Sequence, residues 1–477
     1  MNELKYDVII VGAGPGGLYT AYELTRLFGS AKKILVVDAG NELNDRHCPI
    51  IMGTCKKCCH CNPCNIMQGF GGAGAFSDFK YNITNHFGGT LAEKIGSEKA
   101  LELMKYVDKV NTKLLDDRVP KMFSSQNSAL KKKCTQNGLR LLDADIRHLG
   151  TDNGLILLKR MYHDLKFLGV EFMFNTELND FGWAYPYFQT TIPGKNTIIK
   201  TRNLVFAVGR SGSKWMSNQC KKFHVKTTSN RIDLGIRYEV PYEVFSDITD
   251  ELYEGKIVYR TDTYEDSVRT FCMNPHGSVV TENTNGIITV NGHSYEDPSK
   301  HTDNTNFALL VSQSFTQPFT NGDKFGELIA TLSNSLAGGE VLVQRFGDLI
   351  RGHRSTEEDL RNNSVIPTLK TAVAGDISSF MPHRFCQDII ETIYALNKIA
   401  PGTANPDNLM YATEVKFYDN IVDVNENLEM PLEGYDKNAH IYCIGDGSGI
   451  THSLSQAAAS GVFVATKIKS NLDNTVE

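Results

Sequence analysis

The sequence predicts an α/β chain in which a discontinuous nucleotide-binding domain holds an inserted α+β domain. Three observations carry this expectation. Near the start, the apolar run Val8–Val11 ends in the glycine turn Gly12-Ala13-Gly14-Pro15-Gly16-Gly17. In mid-chain, Val205-Phe206-Ala207-Val208 runs into Gly209-Arg210-Ser211-Gly212. Towards the end, Ile441-Tyr442-Cys443-Ile444 runs into Gly445-Asp446-Gly447-Ser448-Gly449. Each is an apolar strand delivering bare backbone at its carboxyl end, where ligands bind in open α/β sheets.

The first of these stretches is the most informative. A short apolar run between a polar start and a glycine turn reads as a buried parallel strand. Gly12, Gly14 and Gly17 fall at G-x-G-x-x-G spacing. Gly12 permits the tight turn, Gly14 lets backbone approach a pyrophosphate, and Gly17 lets the next helix pack close. Pro15 and Gly16 complete the turn and count with it as cofactor-binding. The helix is expected over about 16–28, with Leu18, Tyr22 and Leu27 among its apolar residues. Its N-terminus offers free N–H groups and a partial positive charge to a phosphate. A second strand, Ile34–Val37, ends at Asp38, placed to accept hydrogen bonds from ribose hydroxyls. The whole is a Rossmann-like dinucleotide signature; the alternative is a tight turn with no ligand.

At 477 residues the chain exceeds one ordinary core, so two or three lobes are expected. Hydrophobic residues make up 41% and charged residues 22%, as in globular proteins, and the net charge of -6 gives no electrostatic reason to expect nucleic acid. Lys131–Lys133 reads as a solvated helix face. No apolar run approaches a membrane span. The first strand follows the N-terminus so closely that no signal peptide is expected, and the eleven cysteines are then expected as thiols in the cytoplasm. Oligomeric state is not legible.

The nucleotide domain is expected over 1–212 and 401–477, with a helical insertion at about 90–140, and the inserted domain over 213–400. After Asp38 comes a cysteine-rich segment. Cys55, Cys58, Cys61 and Cys64 are spaced by three, with Cys59 between them and Cys48 upstream. This spacing suits thiolate binding of zinc or an iron–sulfur cluster. It also suits dithiol exchange with a redox partner, or unligated thiols in a loop, and all three readings stay open. Gly69-Phe70-Gly71-Gly72-Ala73-Gly74 follows, a loop with so little side chain that it can lie against a flat ring or a phosphate. Leu101, Leu103, Met104, Val107 and Val110 mark an amphipathic helix. Helix is expected again at about 154–168 and strand at 170–175. Between 213 and 400, strands are expected at Ile232–Pro241, in RTFCMNPHGSVV and in GIITVNGHS, and helices at about 324–336 and 385–398. At the last glycine turn Asp446 can bind sugar-like hydroxyls.

Several blocks recur together: Arg46-x-Cys48-Pro49, Cys58-x-x-Cys61-x-x-Cys64-Asn65-Ile66, GFGGAGAFSD, RTFCMNPHG at Arg269–Gly277, NGHS at Asn291–Ser294, and GDGSG. This set resembles the two-dinucleotide-binding-domain flavoproteins. Within them it looks like a family described as FAD-dependent dehydrogenases of unassigned substrate. The chain departs from that family at Phe79-Lys80, in its longer cysteine segment, and at Ile450–Ser453. The resemblance implies a resident FAD on Gly12, Gly14, Pro15, Gly16, Gly17, Asp38, Arg46, Gly71, Gly72, Ser77, Gly209, Gly445 and Asp446. It implies hydride transfer between a small organic substrate and flavin, with substrate bound between the two domains. No second G-x-G-x-x-G is present, so NAD(P)H would act only as an external donor. Two alternatives stay open: an electron carrier with a metal or iron–sulfur centre in the Cys48–Cys64 loop, and a thiol/flavin redox sensor without turnover. Cys272 and His276 are the catalytic candidates, as groups able to move protons beside a flavin. Arg237, Arg345, Arg351 and Arg354 are candidate clamps for a carboxylate or phosphate. His452, Asp78 and Lys80 are further candidates near the ring.

Overall fold

The computed structural model describes residues 2–55, 59, 61–126, 129–284, 286–295 and 298–474. The chain divides into two compact units, one of 1–122, 146–229 and 418–477, the other of 123–145 and 230–417. The second unit thus starts and ends about one element later than the 213–400 read from the sequence. Packing sets these limits. The helix Ser213–Lys222 buries Met216 and Cys220 in the core of the first unit. The strand Leu409–Lys416 pairs with Ile232–Pro241 inside the second. The short strand Leu139–Leu141, within the expected helical insertion, pairs with Ile257–Arg260 at the edge of that same sheet.

The first unit is built on five strands in the order His440–Cys443, Asn203–Phe206, Val8–Val11, Ile34–Val37, Glu171–Met173. All neighbours are parallel. The central strands VIIV and ILVV are buried along their whole length, as parallel strands covered on both faces must be. Register does the positioning. Val11 pairs with Phe206 and with Val37, and Phe206 pairs with Cys443. The three glycine turns therefore leave the sheet at one level. This is the Rossmann-like architecture the first glycine turn predicts.

The helix Pro15–Phe28 packs along the C-terminal helix Leu454–Asn474. Gly461 makes the approach possible, since a Cβ there would fall onto the Gly16 carbonyl oxygen. The helix Ser97–Leu115 buries Leu103, Met104, Val107, Val110 and Leu114 in the same core. Each such side chain contributes about 1.5–3 kcal/mol on burial, which is why an apolar stripe at helical spacing folds against the unit.

The second unit is α+β. Its eight-stranded sheet, almost wholly antiparallel, centres on Leu409–Lys416, Ile232–Pro241, Asn304–Gln313 and Ser267–Asn274. Alternation gives the sheet two different faces. Leu234, Ile236, Tyr238 and Val240 join Phe307, Leu309 and Val311 in an apolar core that also takes Phe245 and Ile248 of the helix Tyr242–Leu252. The intervening positions of the same strand are Asp233, Gly235, Arg237 and Glu239, and all four are buried. Among the described residues, no helix is long and apolar enough to cross a membrane.

The close helix approach at Gly461 can be tested. Replacing Gly461 with Ala forces the two helices apart and is expected to cost about 1–3 kcal/mol. Thermal unfolding should show a lower midpoint; an unchanged midpoint would mean the helices slide without penalty.

Candidate functional site

In the first unit the carboxyl ends of three parallel strands converge. Ala207 N–H donates to the Val11 carbonyl (2.8 Å), and Ile444 N–H donates to the Phe206 carbonyl (2.9 Å). Gly447 N–H donates to Val208 (2.9 Å). Gly12 has φ +109° and lies so close to Ala207 that a side chain would strike its carbonyl. Gly17 is held the same way, since its Cβ would meet the Gly12 carbonyl. Gly14 is different: the only heavy atom near an added Cβ is Gly72 Cα at 4.0 Å. At Gly209 an added Cβ would meet nothing within 4 Å. The helix Pro15–Phe28 begins with Pro15, and no side chain caps its N-terminus. Bare backbone, open space and an uncapped helix end fit the pyrophosphate of a dinucleotide.

Asp38, read from the sequence as a ribose-binding acid, accepts from backbone N–H groups. One carboxylate oxygen accepts from Ala13 N–H (2.7 Å), and the other accepts from Gly40 and Gly69 N–H (both 2.8 Å). It therefore ties the first glycine turn to the start of the second glycine loop. That loop lies directly on the first turn: Gly71 N–H donates to the Ala13 carbonyl at 2.8 Å. Gly72 has φ +58°, and its added Cβ would sit 3.0 Å from Gly14 Cα. Ser77 turns its hydroxyl back to the Gly74 carbonyl at 2.7 Å.

Arg46, read from the sequence as cofactor-binding, is engaged by backbone carbonyls. Its buried guanidinium donates to the carbonyls of Asn65, Ile66, Phe70 and Gly72 at 2.6–2.9 Å. It staples the cysteine segment to the glycine loop. Burial lowers its pKa to about 10, against the attraction of Asp38.

At the last glycine turn, Asp446 accepts from Arg210 Nε (3.1 Å) and faces His452 Nδ1 (2.9 Å). His452 also meets the edge of Tyr418, the ring centroids 4.6 Å apart. The sequence places Arg210, Asp446 and His452 on two glycine turns far apart in the chain; only the parallel register brings them together. Asp78 is engaged by Lys80 (3.0 Å) and lies 3.6 Å from His148.

In the cysteine segment, the sulfurs of Cys55 and Cys59 are close neighbours, and Cys48, Cys61 and Cys64 are free thiols. Cys58, one of the four candidate ligands, lies outside the described residues. Among the described residues, no group of three His, Cys, Asp or Glu side chains is placed to hold a metal ion.

In the second unit, Arg237 is fully buried and donates to the Cys272 carbonyl (2.8 Å), Asn291 Oδ1 (3.0 Å) and Glu414 Oε1 (2.7 Å). Burial pushes the Glu414 carboxyl up to about 7 despite Arg237. Among the described residues, its second oxygen has no hydrogen-bond partner. Cys272 is half-buried, with φ +42° at an irregularity in its strand pairing. Among the described residues no hydrogen bond joins it to His276. The His276 ring instead stacks between Tyr242 (3.7 Å) and His301 (4.9 Å), with Nδ1 3.0 Å from the Thr302 carbonyl. Of the other arginines, Arg345 and Arg351 both bind Asp348 (2.7 Å each), and Arg354 is exposed. Glu414 was missed in the sequence because its signal is only a charge near the end of a largely apolar strand, LMYATEVK.

Comparison with known proteins agrees with this architecture. Residues 239–416 match the family model for "FAD-dependent protein, C-terminal domain-like". Residues 10–44 match that for an NAD(P)-binding Rossmann-like domain. No curated protein matches. Among solved structures, 3-ketosteroid-delta4-(5alpha)-dehydrogenase from Rhodococcus jostii RHA1 is 11% identical at a TM-score of 0.46, over 98% of this chain and 97% of its own. Glycine oxidase from Bacillus cereus ATCC 14579 is 12% identical at a TM-score of 0.39, over 98% and 95%. The two matched segments make the chain similar, over those residues, to FAD-dependent proteins and to Rossmann-like nucleotide-binding domains.

Asp38 provides the test of the cradle. Asp38→Asn exchanges one charged acceptor for an amide donor and unties at least one loop, with about 1.5–3 kcal/mol at stake. FAD affinity, measured by fluorescence titration of the apoprotein, should fall about tenfold or more. An unchanged affinity would remove Asp38 from the construction of the site.

Proposed function

We propose that this protein is an FAD-dependent oxidoreductase that moves hydride between a small organic substrate and the flavin. The observation that carries this reading is the convergence of Gly12, Gly209 and Gly445 at the carboxyl ends of adjacent parallel strands, with Gly14 and Gly209 open to a ligand. When bound, FAD supplies a two-electron acceptor that no side chain can replace.

The chain's own residues do the holding and the proton work. The backbone N–H groups of Gly14, Gly16 and Gly17 would hold the pyrophosphate. Asp38 uses three of about four acceptor positions on the turn, which leaves one for a ribose hydroxyl. Gly71 and Gly72 bring bare backbone beside the turn, with Ser77 fixing the loop and Arg46 stapling it from behind. The Arg210–Asp446–His452 set fixes the third turn at Gly445. In the second unit, Glu414 is the group whose carboxyl, raised to about 7 by burial, suits it to accept a proton. Cys272 is the second candidate for this work, and His276 holds the turn that follows it. The flavin is restored by an external acceptor or donor, with NAD(P)H the first to try. The cysteine segment takes no part in this scheme.

Purified protein reconstituted with FAD should bind about one flavin per chain, and a donor panel mixed anaerobically should bleach it; failure to bind flavin sinks the proposal. The rate of bleaching should also depend on pH with a definite sign. A base must be unprotonated to act, and Glu414 titrates near 7. The rate should therefore be low below that value and rise about tenfold from about pH 6 to about pH 8. Glu414→Gln should lower the rate about 100-fold and flatten the profile. A Gln variant with the wild-type rate would transfer the role elsewhere.

A further inference from the structure

In the first unit, three cations gather on Tyr187. Lys5 Nζ, the Arg202 guanidinium carbon and Lys200 Nζ lie 4.9, 5.4 and 5.6 Å from the centroid of its ring. Strand pairing produces this. The strands Asn2–Lys5, Thr197–Thr201, Tyr187–Thr191 and Gly182–Ala184 form a sheet of their own, in that order. Lys5 stands beside Lys200 in the first pair, and Phe188 stands opposite Thr201 in the next. Arg202 therefore leaves its strand opposite Tyr187. Alternation sends Ile199 and Phe188 into the apolar core, and Lys5, Lys200 and Tyr187 take the other face.

The charges in this group do not balance. Among the described residues, the carboxylate engaged with it is Glu3, on Lys200. Lys5 and Arg202 have none. Like charges set side by side repel, so as structure the arrangement is a cost. Arg202 shows this most plainly. Its side chain is half-buried, and its Nε is closed off from solvent with no hydrogen-bond partner among the described residues. A buried N–H without an acceptor carries a desolvation penalty. Tyr187 registers the same excess. A hydrogen bond from Lys5, and then the charges of Lys5, Arg202 and Lys200, hold its hydroxyl below the ordinary range against the upward push of burial. Lys5 is exposed, so the group is reachable from solvent.

The chemistry of the fitting ligand follows from the charge. Two cations lack a counter-charge. A dianion completes the group, where a carboxylate would leave one positive charge over. A phosphate monoester carries close to two negative charges at neutral pH and three strong acceptor oxygens. Its oxygens also match the planar fork of a guanidinium.

We propose that Lys5, Lys200 and Arg202 form a phosphate-binding site on this sheet, with Lys5 and Arg202 in direct contact with the ligand and Tyr187 as the floor between them. The ligand is a phosphate group, free or carried by a small molecule. The site does not rest on the oxidoreductase reading, and it stands whether or not hydride passes to a flavin.

The experiment is calorimetric titration of the FAD-loaded full chain, at low ionic strength, with phenyl phosphate, inorganic phosphate and benzoate. Loading with FAD keeps the glycine turns from serving as the phosphate site. Phenyl phosphate should bind at least about tenfold more tightly than benzoate. Tighter binding of phenyl phosphate than of inorganic phosphate assigns the site to a phosphorylated small molecule; inorganic phosphate binding at least as tightly assigns it to the free ion. Arg202→Gln should lower phosphate affinity at least about tenfold with flavin content unchanged. Lys5→Gln, at an exposed position, should lower it about fivefold or more and serves where the Arg202 variant does not fold. Equal affinity for phenyl phosphate and benzoate, absence of phosphate binding, or wild-type phosphate affinity in either variant would each overturn the proposal. Should the chain take up no flavin, the variants still decide, since neither residue belongs to the glycine turns.

Discussion

The carboxylate of Asp38 is the constraint on which the nucleotide site depends. A single side chain accepts from three backbone N–H groups, at Ala13, Gly40 and Gly69. Hydrogen bonds to a charged acceptor are about twice as strong as neutral ones, so three of them fix loops that have almost no side chains of their own. The glycine turn needs that help. Its value to a phosphate is the absence of side chains, and the same absence leaves it nothing to pack with. Asp38 and Arg46 solve this from opposite sides: one collects N–H groups, the other collects carbonyls. Between them the bare backbone is held in place and kept open.

The second unit follows a different economy of design. One strand, Ile232–Pro241, carries the core on its even positions and charge at Asp233, Arg237 and Glu239 on its odd ones. Its polar face is crowded because neighbouring strands repeat the choice, with Arg269 and Phe271 on one and Glu414 and Lys416 on another. Gly235 in the middle admits the neighbouring strand, since a Cβ would fall onto the Leu309 carbonyl. Buried charge on a sheet face raises carboxyl pKa values and lowers those of amines. Glu414 and Lys416 both move towards 7, from opposite directions and for that one reason.

Much of the first unit was legible in the sequence because its signals are local. The strand Val8–Val11, the turn that follows and the helix to Phe28 are each specified within a few residues by burial, φ and packing distance. The same is true of Asp38 at the end of its strand. Arg46 was legible as important but not as structural, because its partners are backbone carbonyls of residues 65–72 and carry no side-chain pattern. The cysteine spacing is a sequence signal whose candidate Cys58 lies outside the described residues. His276 looked like half of a catalytic pair, but the turn after Cys272 commits its ring to a stack with Tyr242 and His301.

The sequence by itself determined the class of fold, the dinucleotide turn and the alternation that builds a two-faced sheet. These depend on the chemistry of near neighbours, which a linear reading captures. Only the tertiary structure decided which distant residues meet. Arg210 reaches Asp446 because two strands more than two hundred residues apart run in register. Glu414 meets Arg237, and Lys416 meets Phe271, because antiparallel pairing places them on one face. Pairing between strands far apart in the chain is set by the cooperative fit of whole sheets, and no single segment records it.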